Sequence, residues 1–159
     1  MSVGSLYQYF EDKDDLVDAV LLRLSRELSA AIDATLDAIL DRDVETVTRG
    51  LLTAALDSME AREGLYLELT RNWQRLHSLT GVNALERHMQ DACRRYILRN
   101  HERLRVANLP AGLFVVINST LFTVMRYLTL RDPPIIRQEL IDELSRMIAA
   151  HTQRAGNPG

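Results

Sequence analysis

Apolar residues recur every three or four positions along most of the chain, and no useful length of strand-like alternation interrupts them. That spacing marks amphipathic helices. The pattern predicts an all-α helical bundle of seven helices. The first is short, Val3 to Phe10, with Ser2 as N-cap and Ser5 at its third position. A turn at Glu11–Asp12 leads to a long second helix, Lys13 to Leu40. Asp12 caps it, and Asp14 and Asp15 favour the positive end of its dipole. Its stripe is Val17, Leu21, Leu24, Leu28, Ala31 and Ile32, continued by Leu36 and Ile39. Asp43 caps a third helix, Val44 to Arg62, with Val47, Leu51, Leu52, Ala55, Leu56 and Met59 inward. Gly64 breaks the pattern before a fourth helix, Leu65 to Leu76.

The fifth helix begins at Thr80–Gly81 and ends near Asn100, with Leu85, Met89, Ala92, Cys93, Tyr96 and Ile97 inward. Pro110 sits in the first turn of a sixth, which runs to Leu130. Asp132-Pro133-Pro134 stops it, because a residue before proline avoids helical backbone angles. The last helix spans Ile135 to His151, with Leu140, Ile141, Leu144, Met147 and Ile148 on one face. The remaining stretch, 152–159, reads as a disordered tail.

Composition narrows the classes. At 159 residues the chain is long enough to bury a core without a metal or a disulfide staple. One cysteine, Cys93, excludes an internal disulfide. With no secretion signal recognised, a reducing cytoplasm is the expected setting. The run between Arg105 and Arg126 has the length of a bilayer span. It also holds Asn108, Pro110, Gly112, Asn118, Ser119, Thr120 and Thr123, so a buried helix is expected there and no membrane partner. The net charge of −3 argues against a general nucleic-acid binder.

The first ten residues, MSVGSLYQYF, then change the picture. Small side chains on a leading helical turn allow close approach to another surface. A helix N-terminus offers free N–H groups suited to phosphate. Tyr7 and Tyr9 add hydroxyls to an apolar body, and Lys13 reaches a phosphate from the next helix. The same ingredients also fit a surface helix whose aromatics pack on the long one.

The order of residues resembles one family. VGSLYQYFEDKDDL is similar to the signature that closes the DNA-binding domain of the tetracycline-repressor (TetR) family of bacterial transcriptional regulators. There a recognition helix of small-small-Leu-Tyr-x-aromatic-Phe precedes a turn, a Lys and the acidic-apolar start of a long connecting helix. The matching residues here are Gly4, Ser5, Leu6, Tyr7, Tyr9, Phe10, Lys13 and Leu16. The resemblance implies that Ser2, Val3, Gly4 and Ser5 face the major groove. It implies that Tyr7, Gln8 and Tyr9 contact bases or phosphates, that Lys13 holds a phosphate, and that Leu6 and Phe10 are buried. Family members carry two further helices ahead of this signature. The expectation is therefore a chain shortened within its helix-turn-helix, with DNA binding impaired and operator DNA a partner of the full-length protein alone. On this reading 1–12 is the DNA-binding remnant, and 13–151 is an effector-binding and dimerisation domain.

The body carries the remaining candidates. Met59, Tyr66, Trp73, His77, Met89, Phe114, Asn118 and Phe122 combine apolar walls with a few polar groups, as small-molecule sites do. Plain core packing explains them equally well. Asn118, mid-helix in an apolar run, needs a partner: a ligand, its own copy across a dimer, or a neighbouring hydroxyl of Ser119 or Thr120. Leu113, Ile117, Leu121 and Leu128 of the sixth helix, with Leu140, Leu144 and Ile148 of the last, are expected to form a four-helix homodimer interface. The resemblance assigns the same helix pair to dimerisation.

No enzyme is expected. The four histidines, His77, His88, His101 and His151, lack the i, i+4 spacing of a helical metal pair, so neither metal nor cofactor is assigned. Cys93 reads as an inert core thiol. The reading is a ligand-responsive regulator of TetR type, in the manner of a repressor, with an unidentified, mostly apolar effector. The alternative is a helical dimerisation module with no effector and no DNA binding.

Overall fold

The computed structural model describes residues 13–62, 80–104 and 108–152, and within them it is all-helical. Five helices follow one another: α1 (Lys13–Ile39), α2 (Val44–Glu60), α3 (Thr80–Arg99), α4 (Leu109–Thr129) and α5 (Arg137–Thr152). The short helix expected at Val3 to Phe10 and the one expected at Leu65 to Leu76 lie outside the described residues.

α1 is 27 residues long, about 40 Å at the usual rise. Its buried positions are Leu21, Leu24, Leu28, Ile32 and Leu36, a stripe of threes and fours. α2 and α3 both pack on α1, and α5 packs on the other side of α2. The core joins Leu28, Ile32 and Leu36 to Val47, Leu52, Leu56 and Met59 of α2, Ala92 and Tyr96 of α3, and Leu140, Ile141 and Leu144 of α5. Leu36 and Leu56 are almost wholly enclosed.

Local chemistry sets the helix ends. Asp43 caps α2: its Oδ1 accepts from Thr46 N at 2.9 Å, and its Oδ2 from Thr46 Oγ1 at 2.7 Å. The Thr46 side-chain hydrogen bond, then the Thr46 N–H, hold the Asp43 carboxyl below the ordinary carboxylate range. Asn108 caps α4 through Ala111 N at 3.1 Å, with Pro110 in the first turn. α5 begins at Arg137, two residues later than its apolar pattern indicates. Glu139 explains the start: its Oε2 accepts from Ile136 N at 3.0 Å, which makes Ile136 the capping position.

Between α1 and α2 the chain turns within four residues, and α3 fastens that turn. Asn100, buried just past the end of α3, donates from Nδ2 to Leu40 O at 3.0 Å and to Tyr96 O at 3.0 Å. Tyr96 donates its hydroxyl to Arg42 O at 2.8 Å. Burial foremost, and Asp43 second, push that hydroxyl up to about 12. Charge pairs run alongside. Asp33, Asp37 and Asp41 of α1 and its following turn, spaced by four, face α3. Asp33 pairs with Arg95 and stands 3.2 Å from His88 Nε2. Asp37 lies 3.6 Å from Arg95, and Asp41 2.8 Å from Arg99. Exposed pairs of this kind contribute little stability each; their regular spacing fits one register of α1 on α3. On the other side of α2, Arg49 pairs with Asp142, and Arg137 pairs with Asp57 and lies 3.5 Å from Glu60.

Packing of α4 is lighter: it rests on α3 and α5 through one stripe. Gly112, Leu113, Ile117, Thr120 and Val124 face inward, while Phe114, Val115 and Phe122 stand in the open at 62%, 55% and 68% exposure. Among the described residues α4 is the one helix long and apolar enough to cross a membrane, with mean hydropathy 1.4 over its best window.

Candidate functional site

Two adjoining apolar chambers lie where α4 meets the rest of the bundle. One, of about 90 Å³, is walled by Leu36 of α1, Val44 and Val47 of α2, Tyr96 and Ile97 of α3, Gly112 and Leu113 of α4 and Thr152 of α5. The other, of about 130 Å³, is walled by Ile32, Leu52, Ala55, Met89, Ile117 and Thr120. They share Thr48, Leu51, Ala92, Cys93, Val116 and Ile148. All five helices therefore contribute. The space exists because inward positions carry small side chains: Thr48 and Ala55 on α2, Ala92 and Cys93 on α3, Gly112 and Thr120 on α4.

Among the described residues of the walls there is no Asp, Glu, Lys or Arg. His151, at the edge of the Tyr96 chamber, is exposed. Burial pushes the Cys93 thiol up to about 11, so it is protonated at neutral pH and a poor nucleophile. Among the described residues no three His, Cys, Asp or Glu side chains gather as metal ligands. These chambers are built to take apolar matter, with the Thr48 and Thr120 hydroxyls among the few polar groups on their walls.

The structure distributes the expected site residues unevenly. Of the eight ligand candidates, Met89 lines a chamber. Met59 is buried in the core and is not in either wall. Tyr66, Trp73 and His77 lie outside the described residues, as do Ser2, Val3, Gly4, Ser5, Tyr7, Gln8 and Tyr9 of the DNA-contacting set. Lys13 begins α1.

The two faces of α4 correct the sequence reading. Phe114, Asn118 and Phe122, expected in a pocket, stand on the exposed side. Asn118 satisfies its amide on its own helix, donating Nδ2 to Phe114 O at 2.9 Å. Leu113 and Ile117, expected at a dimer interface, point inward and wall the chambers. Leu140 and Leu144 are likewise buried within one chain, against the core that includes α2, and Ile148 lines both chambers. Leu121 and Leu128 are half-buried. The physical reason is that Leu113 to Ile117 are apolar without a break, so period alone selects no side. The inward side is the one that carries Gly112 and Thr120 beside Leu113 and Ile117.

Residues that sequence reasoning missed are Thr48, Val116, Thr120 and Ile148 as a shared or polar wall. Their signal was small or β-branched side chains at inward positions of three different helices. Set against family models, curated proteins and solved structures, the chain matches none.

Proposed function

We propose that the chain is the effector-binding and dimerisation body of a TetR-type transcriptional regulator acting as a repressor, with part of the DNA-reading signature on its N-terminal side. The observation that carries the reading is the course of α1. This helix starts at Lys13, inside the resembling signature, and its far half supplies Ile32 and Leu36 to the chamber walls. A ligand filling the chambers therefore bears on the same rod that adjoins the recognition segment. Different affinity for two positions of α1 is sufficient to shift a regulator between DNA-competent and incompetent states.

Dimerisation rests on α4. Phe114, Val115 and Phe122, exposed on one helix face, form the kind of contiguous apolar surface that marks an interaction site. A second copy related by two-fold symmetry covers it with the same residues. Catalysis forms no part of the proposal, and the protein is placed in the cytoplasm.

The test is a thermal-shift screen of uncharged apolar compounds, followed by hydrogen exchange with the best stabiliser. Binding is expected to raise the unfolding midpoint and to alter exchange along Lys13 to Val20, well beyond the chamber walls. Protection confined to chamber residues refutes the relay through α1. A dimer by light scattering with no stabiliser in the whole screen selects the second reading, a helical dimerisation module without an effector.

A further inference from the structure

Thr120 is 8% exposed, and its hydroxyl oxygen has no hydrogen-bond partner. Several hydroxyls of the bundle bond back to their own helix, Ser119 to Val115 O at 2.6 Å, Thr53 to Arg49 O at 2.8 Å and Thr152 to Ile148 O at 2.9 Å; Ser145 Oγ, wholly buried, is unpartnered like Thr120 but lines neither chamber. Thr120 has no such bond, and it lies in the wall of the larger chamber. A buried hydroxyl without a partner is costly, and its persistence calls for one.

We infer that the Thr120 chamber takes an uncharged ligand consisting of one six-membered ring with a single hydrogen-bonding substituent, and that the Thr120 hydroxyl pairs with that substituent. The inference rests on the reading of the chambers as the effector site and adds the chemical class of the effector.

Three observations set the class. Size comes first: about 130 Å³ is close to the roughly 150 Å³ of an apolar cavity that stays dry and admits a benzene ring. Charge comes second: among the described wall residues neither chamber offers an acidic or strongly basic side chain, and an unpaired charge brought against such walls pays a heavy desolvation penalty. Polarity comes third: among the described residues Thr48 and Thr120 are the hydroxyl-bearing residues of this wall, and the Thr120 oxygen is buried without a partner. That oxygen is itself closed off in the present rotamer, with under 1 Å² exposed. Threonine in a helix divides between two χ1 rotamers, so one rotation exchanges its methyl and hydroxyl towards the ligand.

Toluene and phenol make the test, since they differ by a methyl against a hydroxyl of similar size. Each is titrated calorimetrically into the wild-type chain, Thr120→Val and Thr120→Ser, with circular dichroism confirming that all three fold. Wild type is expected to bind both. Thr120→Val, which keeps the shape and removes the hydroxyl, is expected to weaken phenol about threefold to tenfold while leaving toluene within twofold. Thr120→Ser is expected to retain phenol. If toluene binds and Thr120→Val leaves phenol unchanged, the hydroxyl does not read the ligand: this inference falls and the effector site stands. If neither compound binds wild type, the one-ring class falls and with it this inference; the effector-site reading falls only if the wider thermal-shift screen also finds no stabiliser.

Discussion

Removing the Asn100 amide provides the sharpest energetic test of how the bundle is closed. In Asn100→Ala the backbone N–H still reaches Tyr96 O at 3.0 Å, so that carbonyl stays satisfied. Leu40 O loses the Nδ2 donor held at 3.0 Å. Asn100 is 7% exposed and Leu40 half-buried, so water replaces the lost donor only in part. An unpaired carbonyl in such a place costs about 1–3 kcal/mol. The small void left by the amide adds to this, and the total is about 2–3 kcal/mol. Tyr96→Phe is the internal comparison. Its hydroxyl bonds Arg42 O at 2.8 Å, but Arg42 is exposed, so water takes over as donor and the cost is about 0.5–1 kcal/mol. Urea denaturation followed by far-UV circular dichroism, at one fixed protein concentration, reads both. In a thermal melt of the same samples the Asn100 variant is expected to lose about 5–10 °C in Tm in a chain of this size. The double variant should deviate from additivity by about 0.5 kcal/mol or more, because both side chains hold the same turn. An Asn100→Ala cost no greater than that of Tyr96→Phe refutes the claim that α3 fastens the α1–α2 turn through a buried amide.

Two further outcomes follow from the cap and from the exposed face. Asp43→Ala is expected to cost about 1 kcal/mol at neutral pH through loss of the α2 cap. The Asp43 carboxyl is held low in the folded state, so its contribution is complete above about pH 5 and fades as the pH falls below about 4. The gap between the two urea midpoints should therefore close in acid, and a gap that persists at low pH refutes the cap as its origin. If the chain dimerises through α4 as proposed, Phe122→Glu is expected to break the dimer. Each buried Phe contributes about 1.5–3 kcal/mol and counts twice in a two-fold interface, so the dissociation constant rises about a hundredfold or more. Sedimentation over a concentration series checks it, and an unchanged dimer removes α4 from the interface.

The contrast between α2 and α4 shows what the sequence could and could not make legible. α2 announces itself completely: Asp43 and Thr46 cap it, and Val47, Leu52, Leu56 and Met59 form a single apolar stripe flanked by Arg49 and Asp57, so one side alone is able to pack. The stripes of α1 and α3 are similarly one-sided, and their buried residues fall where the spacing puts them. α4 is different in kind. Five consecutive apolar residues, Leu113 to Ile117, cover most of its circumference, and burial on either side is then worth about the same per unit area. What breaks the tie is steric and non-local. Gly112 and Thr120 share a side with Leu113 and Ile117, and that side faces Ala92 and Cys93 across the chambers, whereas Phe114 and Phe122 stand in the open. α5 has its Leu140–Leu144 stripe taken up by the core that includes α2, alongside the Arg49–Asp142 and Arg137–Asp57 pairs. The same small side chains that decide the face of α4 also fail to fill the space behind it. The cavity and the inverted helix face thus have one cause: a concentration of Gly, Ala, Cys and Thr at inward positions of α2, α3 and α4. A reading that weighs only where apolar residues fall, and not how large they are, cannot see it.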